Sequence, residues 1–450
     1  MVSSEEIIDR KSLLVKSSFS LNGKTLLLGR GVEKGIASGL SVRAGAFIVQ
    51  LFGIPIAFHA LGHERFGLLL MLAGLGQWAG LGNLGMKAAL ARFISGGMVR
   101  ADINRCLGAS LLLALCSGAS VVVILGTIIF FWLLKKPPDS LATCNEVVLA
   151  AFVLLALLLI KAVVVTFHGV QVGHLKTHRV NFFQLIGQFS RLCLLLAAAY
   201  LWPHLAGFVI AMVGGLLIGD ILNAWEISRK YRPAFAGFSE LGTTLGQLVK
   251  AGLSYSIIDL VAAGSSGFLV FLVGAIGEPQ EAAIFGVMMR LWMMVAGVLA
   301  IINIPLWPAL RDALYTGNRD WAVSAIRRFF WIEGSIGLTL FLVLGPGAPS
   351  VLGLWLQENI VITQSYAILY AIVILQGTFV YYWGIVLMGF GEEKLVAFTH
   401  AARFIVLLST GAFLIPYDGG RGAMASLCLA YLVAETFCLP LMVRRKMKCC

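Results

Sequence analysis

The residues able to do chemistry in this chain are charges placed where hydrocarbon is expected. Arg43, Lys87, Lys161, Arg191, Arg290 and Arg403 fall inside long apolar stretches, against only Asp259, Glu333 and Glu435, with Asp220 near the end of another stretch. A charge in that setting is costly and by default faces a bundle interior or a water-filled cavity. Basic groups outnumber acids, a balance that suits an anionic ligand better than a cationic one. At ~1.5 Å per helical residue, Lys87 and Glu333 lie within about a turn of an edge, where they can snorkel. On the same scale Arg43, Arg191, Arg290 and Arg403 lie roughly 10 to 15 Å deep, and Lys161 and Asp259 near the middle. Those six cannot reach water unless the protein supplies it.

Other constellations are weaker. His59 and His63 flank one turn and His168, His174 and His178 cluster at a later joint, but no Cys or paired carboxylate completes a metal set, so surface histidines are the simpler reading. No acidic pair stands at glycosyl-transfer spacing and no joint is long enough to handle a polymer. Catalytic residues, metal ligands and cofactors are therefore expected to be none. Of eight cysteines, five fall in or beside apolar stretches, so no disulfide framework is available. Cys449 and Cys450 are lipidation candidates, although a frayed tail explains them as well.

The elements that must position these charges follow from composition. Of 450 residues, 59% are hydrophobic and only 12% charged, far more apolar than a water-soluble domain. A soluble receptor or enzyme is excluded. The net charge of +12 is scattered through short joints rather than gathered on one face, which fits a membrane surface and not nucleic acid. Residues 1 to 37 are polar and basic and lack the order of a cleavable signal.

Stretches near the ~20 residues that cross a bilayer lie at 38–59, 66–89, 106–134, 147–168, 182–201, 206–225, 249–275, 282–306, 329–346, 365–388, 395–416 and 423–442. Pro203 after Trp202 separates the fifth from the sixth. The fold class is thus all-α integral membrane, with about twelve transmembrane helices. Of 34 Lys and Arg, 24 fall in the termini and even-numbered joints, counting Lys250 at the very edge of the seventh stretch with its joint, four in odd-numbered joints and six inside spans. The positive-inside rule then puts both termini in the cytoplasm. The chain divides into a cytoplasmic segment 1–37, a bundle 38–225, a cytoplasmic linker 226–248, a second bundle 249–442 and a cytoplasmic tail 443–450. The bundles look like repeats: Phe66-Gly67 recurs as Phe285-Gly286, Arg92 as Arg311 and Arg100 as Arg319, all at an offset of 219. An even six-span unit repeats in parallel, about an axis along the membrane normal.

Gly62-His-Glu-Arg-Phe-Gly67, followed by Gly82-Asn-Leu-Gly-Met86 and Arg92-Phe-Ile-Ser95, resembles the second span of the polysaccharide transporter, or O-antigen flippase, family. That family is a branch of the multidrug/oligosaccharidyl-lipid/polysaccharide exporter superfamily. The chain departs from the pattern at Asn83, where many relatives carry an acid, which removes one candidate for ion coupling. The resemblance implies two pseudo-symmetric six-helix bundles around a central cleft bordered by spans one, two, seven and eight. On that architecture Arg43, Asp259 and Arg290 are the foremost site residues, with Lys161, Arg191 and Arg403 next.

The implied cargo is a polyprenyl diphosphate-linked oligosaccharide. It would be carried from the cytoplasmic to the outer leaflet of a bacterial-type inner membrane, for assembly of O-antigen or exopolysaccharide. Partners would be the lipid-linked oligosaccharide, membrane lipids, a polysaccharide polymerase and glycosyltransferases; the coupling ion, proton or sodium, is left open. The alternatives are an ion-coupled exporter of cationic drugs on the same fold, which would want acids in its cavity, and a membrane enzyme of glycan assembly.

Overall fold

The computed structural model describes residues 16–21, 24–78, 82–95, 98–138, 140–234, 245–250, 252, 256, 260–261, 264–358 and 362–449. An antiparallel hairpin comes first, β1 (Lys16–Leu21) against β2 (Lys24–Gly29), with Lys16 opposite Gly29. Beyond it the described elements are all helices, because an apolar segment in hydrocarbon must satisfy its backbone internally. The first half holds α1 (Arg30–Leu75), α2 (Met86–Ser95), α3 (Arg100–Lys135), α4 (Leu141–Val164), α5 (His168–Gly173), α6 (Thr177–Leu201), α7 (Leu205–Val209) and α8 (Gly215–Ser228). The second holds α9 (Leu269–Ile276), α10 (Pro279–Tyr315), α11 (Arg319–Leu356), α12 (Gln364–Gly389), α13 (Glu393–Tyr431) and α14 (Cys438–Cys449). Asp259 lies outside the described residues.

Among the described residues nine helical runs are long and apolar enough to cross a membrane. Two of them each make two crossings. In α1 the chain reverses at Gly62, whose φ of 74° is open to glycine without strain. The Phe58 and Phe66 rings therefore stand 5.3 Å apart, where eight residues of straight helix would separate them by ~12 Å. In α13 the break is at Asp418 and Gly419, and it brings Gly422 back against the carbonyl of Leu414. Adding the shorter apolar run Gly264–Ile276 gives twelve crossings, arranged as two six-helix bundles about a central cleft. Pro203 acts as expected, since α6 ends at Leu201 and α7 begins at Leu205.

The ninth span differs from the sequence expectation. A stop near residue 346 was expected, yet α11 runs through Pro346 and Pro349 to Leu356. Pro349 has no N–H to offer the carbonyl four residues back. Gln364 fills the gap, its Nε2 donating to Gly345 O at 3.0 Å.

The repeat has a structural counterpart. Arg100, opening the third span, donates to the Lys230 carbonyl just beyond the sixth; Arg319, opening the ninth, donates to the Met447 carbonyl at the end of the twelfth. Phe66 and Phe285 are both fully buried. Sixth and twelfth spans also share a π-helical turn, Ile210–Gly214 between α7 and α8 and Leu432–Thr436 between α13 and α14. The halves meet closely where Gly74 faces Gly267: a Cβ added to Gly74 would lie 2.3 Å from the Gly267 carbonyl oxygen. At the face opposite the basic joints they are joined by His63 Nε2 and Glu358 Oε1 at 2.7 Å, and by Lys136 donating to the Gly277 carbonyl. Trp355 donates from Nε1 to the Leu51 carbonyl at 2.9 Å and so links span nine to span one.

Candidate functional site

Three of the six expected site residues come together. Lys161 is carried by the last turn of α4, Arg191 by the middle of α6 and Arg290 by α10. Arg191 and Arg290, from opposite halves, are near enough to act on each other electrostatically. Lys161 is in the same range of Arg191 and of Asp220 on α8. Among the described residues none of the three cations makes a hydrogen bond or a salt bridge, and Arg191 Nε is buried without an acceptor. Packing explains part of this. A Cβ on Gly215 would lie 2.4 Å from Arg191 Cα, so spans five and six touch through backbone and offer the guanidinium no side chain there. Asp220 is near Lys161 but makes no salt bridge to it, and buried like charges held without a bonded counter-ion carry a cost that a bound anion would relieve.

Arg290 also lines a small space with Gln77, Ser266 and Met289, and the Ser266 hydroxyl donates to Gln77 Oε1 at 2.7 Å, tying span seven to span two. That space measures about 10 Å³, room for no more than about one water. The next residues of α10 face a different environment. Leu291, Met294 and Val298 line an apolar groove of about 1040 Å³ with Phe47, Phe52 and Pro55 of α1 and Leu196 and Tyr200 of α6. A cationic centre thus stands beside an apolar groove bounded by the same helices.

The remaining candidates are placed elsewhere. Arg43 of span one lies within electrostatic reach of the Tyr381 hydroxyl of α12, which brings the two halves near each other toward the basic joints. Arg403 is engaged within its own half: Nη1 lies 2.9 Å from Glu435 Oε2, His400 contacts the other carboxylate oxygen, and the guanidinium stands 5.0 Å from the Tyr431 ring centroid.

Two groups stand otherwise than the sequence implied. Glu333, read as able to snorkel, is 1% exposed, and Asn303 of α10 donates to its Oε2 at 3.1 Å. His168, read with the surface histidines, is 1% exposed and lies 3.2 Å from Asp220. Gln171 and Asn223 are buried with it. The signal was available: His168 and Gln171 repeat the three-residue spacing of Asp220 and Asn223, which puts both pairs on facing sides of parallel helices.

These features can be set beside known proteins. The family model described as polysaccharide biosynthesis protein matches residues 32–313, more than half of the chain. The chain belongs to this family. It is a membrane transporter of the multidrug/oligosaccharidyl-lipid/polysaccharide exporter superfamily, the group to which similar solved structures also belong. An inward-facing multidrug resistance MATE family transporter has a TM-score of 0.68 at 17% identity, covering 98% of both chains. A superfamily transporter from Pyrococcus furiosus, described as having a binding pocket of reverse polarity, has a TM-score of 0.63 at 16% identity over 93% of this chain and 95% of that one. The lipid II flippase MurJ in an inward closed conformation has a TM-score of 0.61 at 11% identity over 90% and 87%. No curated protein matches the sequence significantly.

Proposed function

We propose that this transporter is a flippase for a polyprenyl diphosphate-linked oligosaccharide, carried from the cytoplasmic to the outer leaflet of a bacterial inner membrane during assembly of O-antigen or exopolysaccharide. The observation that carries this reading is the juxtaposition of Lys161, Arg191 and Arg290, unpaired among the described residues, with the apolar groove beside them. A lipid diphosphate has both chemistries. Its phosphates want cations and its prenyl chain wants hydrocarbon, while its glycan needs a path screened from lipid. Arg suits the phosphates, since its planar fork stays charged and grips two oxygens at once. Alternate opening of the two bundles moves the cargo across. Arg43, beside Tyr381 toward the basic side, is then a candidate contact for cargo entering from that side, and Asp259 is a candidate counter-charge in the cleft. The surplus of Lys and Arg on one face supports cytoplasmic termini.

The test is a leaflet-accessibility assay in vesicles holding the purified protein and a labelled lipid-linked glycan. Orientation is fixed by labelling Lys230→Cys from the cytoplasmic side and Ser140→Cys from the outside. Time-dependent movement of the glycan to the outer leaflet, lost in Arg290→Ala, is expected. Transport of a cationic dye with no movement of the glycan would overturn the proposal in favour of a multidrug exporter.

A further inference from the structure

We propose that His168 and Asp220, with Gln171 and Asn223 one turn further along, form a buried proton-binding site between the fourth and sixth spans. His168 and Gln171 belong to α5, the last turns of the helical run Leu141–Gly173, and Asp220 and Asn223 belong to α8. All four residues are buried. His168 Nε2 lies 3.2 Å from Asp220 Oδ1, close enough for an ion pair, yet neither ring nitrogen makes an aligned hydrogen bond. Both ends of the Gln171 amide and of the Asn223 amide are buried without a partner as well. So many unpaired polar atoms on one helix pair are costly for a merely structural cluster. Asn83 shows the contrast: its Nδ2 donates to the Ala162 carbonyl at 2.9 Å and to Thr166 Oγ1 at 2.7 Å, and its Oδ1 accepts from the Lys87 N–H at 2.9 Å.

Glycines aim the four groups. A Cβ on Gly169 would lie 2.6 Å from the Lys87 carbonyl oxygen, and one on Gly173 would lie 2.6 Å from Ile94 Cβ. That face of α5 is pressed onto α2, and His168 and Gln171, on the opposite face at helical spacing, turn to α8. Donor and acceptor chemistry then selects the ligand. Imidazole ordinarily changes its charge between about pH 5 and 8. Protonated His168 cancels the Asp220 carboxylate; neutral His168 leaves that carboxylate and turns one ring nitrogen into an acceptor. An amide presents either N–H or C=O, so Gln171 and Asn223 can solvate both states away from water. A hard cation answers acceptors only, and oxygen suits it better than imidazole. A transition metal wants a third His, Cys or carboxylate, and among the described residues no cluster of three could hold one.

The charges around the site leave it to the proton. Lys161 stands two turns earlier on the same helical run, roughly 10 Å away. From α2 the contact with α5 is made by the Lys87 carbonyl and Leu90. Nearer the basic edge Arg179 of α6 pairs with Glu226 of α8, and His174 is bonded to the Tyr231 hydroxyl at 2.8 Å. The site therefore gives the first half a proton to hold, whichever cargo is carried.

The test is nitrogen-15 spectroscopy of full-length, histidine-labelled protein in lipid bilayers, which separates neutral imidazole from imidazolium. His168→Gln assigns the His168 signals by difference. If that variant does not fold, replacing the other six histidines one at a time assigns them by elimination. In the parent His168 should be neutral above about pH 8 and imidazolium below about pH 5, with or without sodium. In Asp220→Asn it should be neutral at both, and the parent's own titration decides if this variant does not fold. A parental His168 held in one state at both pH values overturns the proposal, as does an imidazolium that survives in Asp220→Asn. A signal that follows added sodium or zinc rather than pH overturns it too.

Discussion

Arg191 and Arg403 occupy corresponding spans, the fifth of each half, and each packs against a sixth span that carries a π-helical turn. Both are 8% exposed. Their chemistry differs. Arg403 meets Glu435, which sits in the π-helical turn itself, and His400 completes the set. Arg191 meets the backbone around Gly215 and lies within electrostatic reach of Arg290. One half has neutralised its buried arginine and the other has left it open, so the repeat supplies a frame within which charge is assigned unequally. A position is informative for function when its counterpart is satisfied and it is not.

The largest effect should fall on the satisfied side. Arg403→Ala leaves Glu435 buried with only His400, and breaking a buried pair in this way costs about 3–5 kcal/mol. Thermal unfolding in detergent and abundance in the membrane should both drop sharply. Replacing the whole pair, Arg403→Met with Glu435→Leu, should return stability near the parent, as exchange of a buried ion pair for apolar groups is often neutral. If Arg403→Ala keeps parental stability and loses transport alone, the contrast between the halves fails, and Arg403 joins the binding residues.

On the open side the pattern should invert. Arg191→Ala and Arg290→Ala remove contacts to cargo worth about 1.5–3 kcal/mol each, which is roughly 10- to 100-fold in transport per folded protein. Their stability should hold or rise, because each removes a buried charge that repels its neighbour. Arg→Lys at either place keeps the charge and loses the fork, so an intermediate rate is expected. Transport normalised to folded protein measures this, and a loss that merely tracks abundance would make both arginines structural.

The sequence carried the spans well and the site less well, for a physical reason. Span ends read from hydropathy agree closely with the helices, as at 365–388 against Gln364–Gly389 and 206–225 against the run Leu205–Ser228. Burial in hydrocarbon is a property of each segment alone. Pairing is a property of two segments, and a single chain does not announce it. Glu333 near a span end looks the same in sequence whether it reaches water or turns inward to Asn303. Arg191 and Arg403 also look alike in sequence, because what separates them is the residue that the sixth span brings opposite. The run through Pro349 was hidden too, since it depends on Gln364 donating to a carbonyl nineteen positions away in the chain.

The smallest expected effect tests the frame itself. Arg100 and Arg319, at the repeat offset, each donate to a carbonyl at the end of the sixth span of their own half. Cations near a helix C-terminus bond the last free carbonyls and complement the helix dipole, worth about 0.3–1 kcal/mol at exposed sites. Both side chains are exposed, so each Arg→Ala should cost no more than about that. The two costs should also be alike, since the same contact is made twice. Arg100 additionally stands 5.8 Å from the Tyr231 ring centroid, so Arg100→Ala should be the slightly larger of the pair. The experiment is thermal unfolding of both single variants and of the double, with additive losses expected because the contacts lie in separate bundles. A large loss from one variant and none from the other would show that the offset of 219 aligns residue types without aligning their work, and the comparison of Arg191 with Arg403 would then stand on burial and pairing alone.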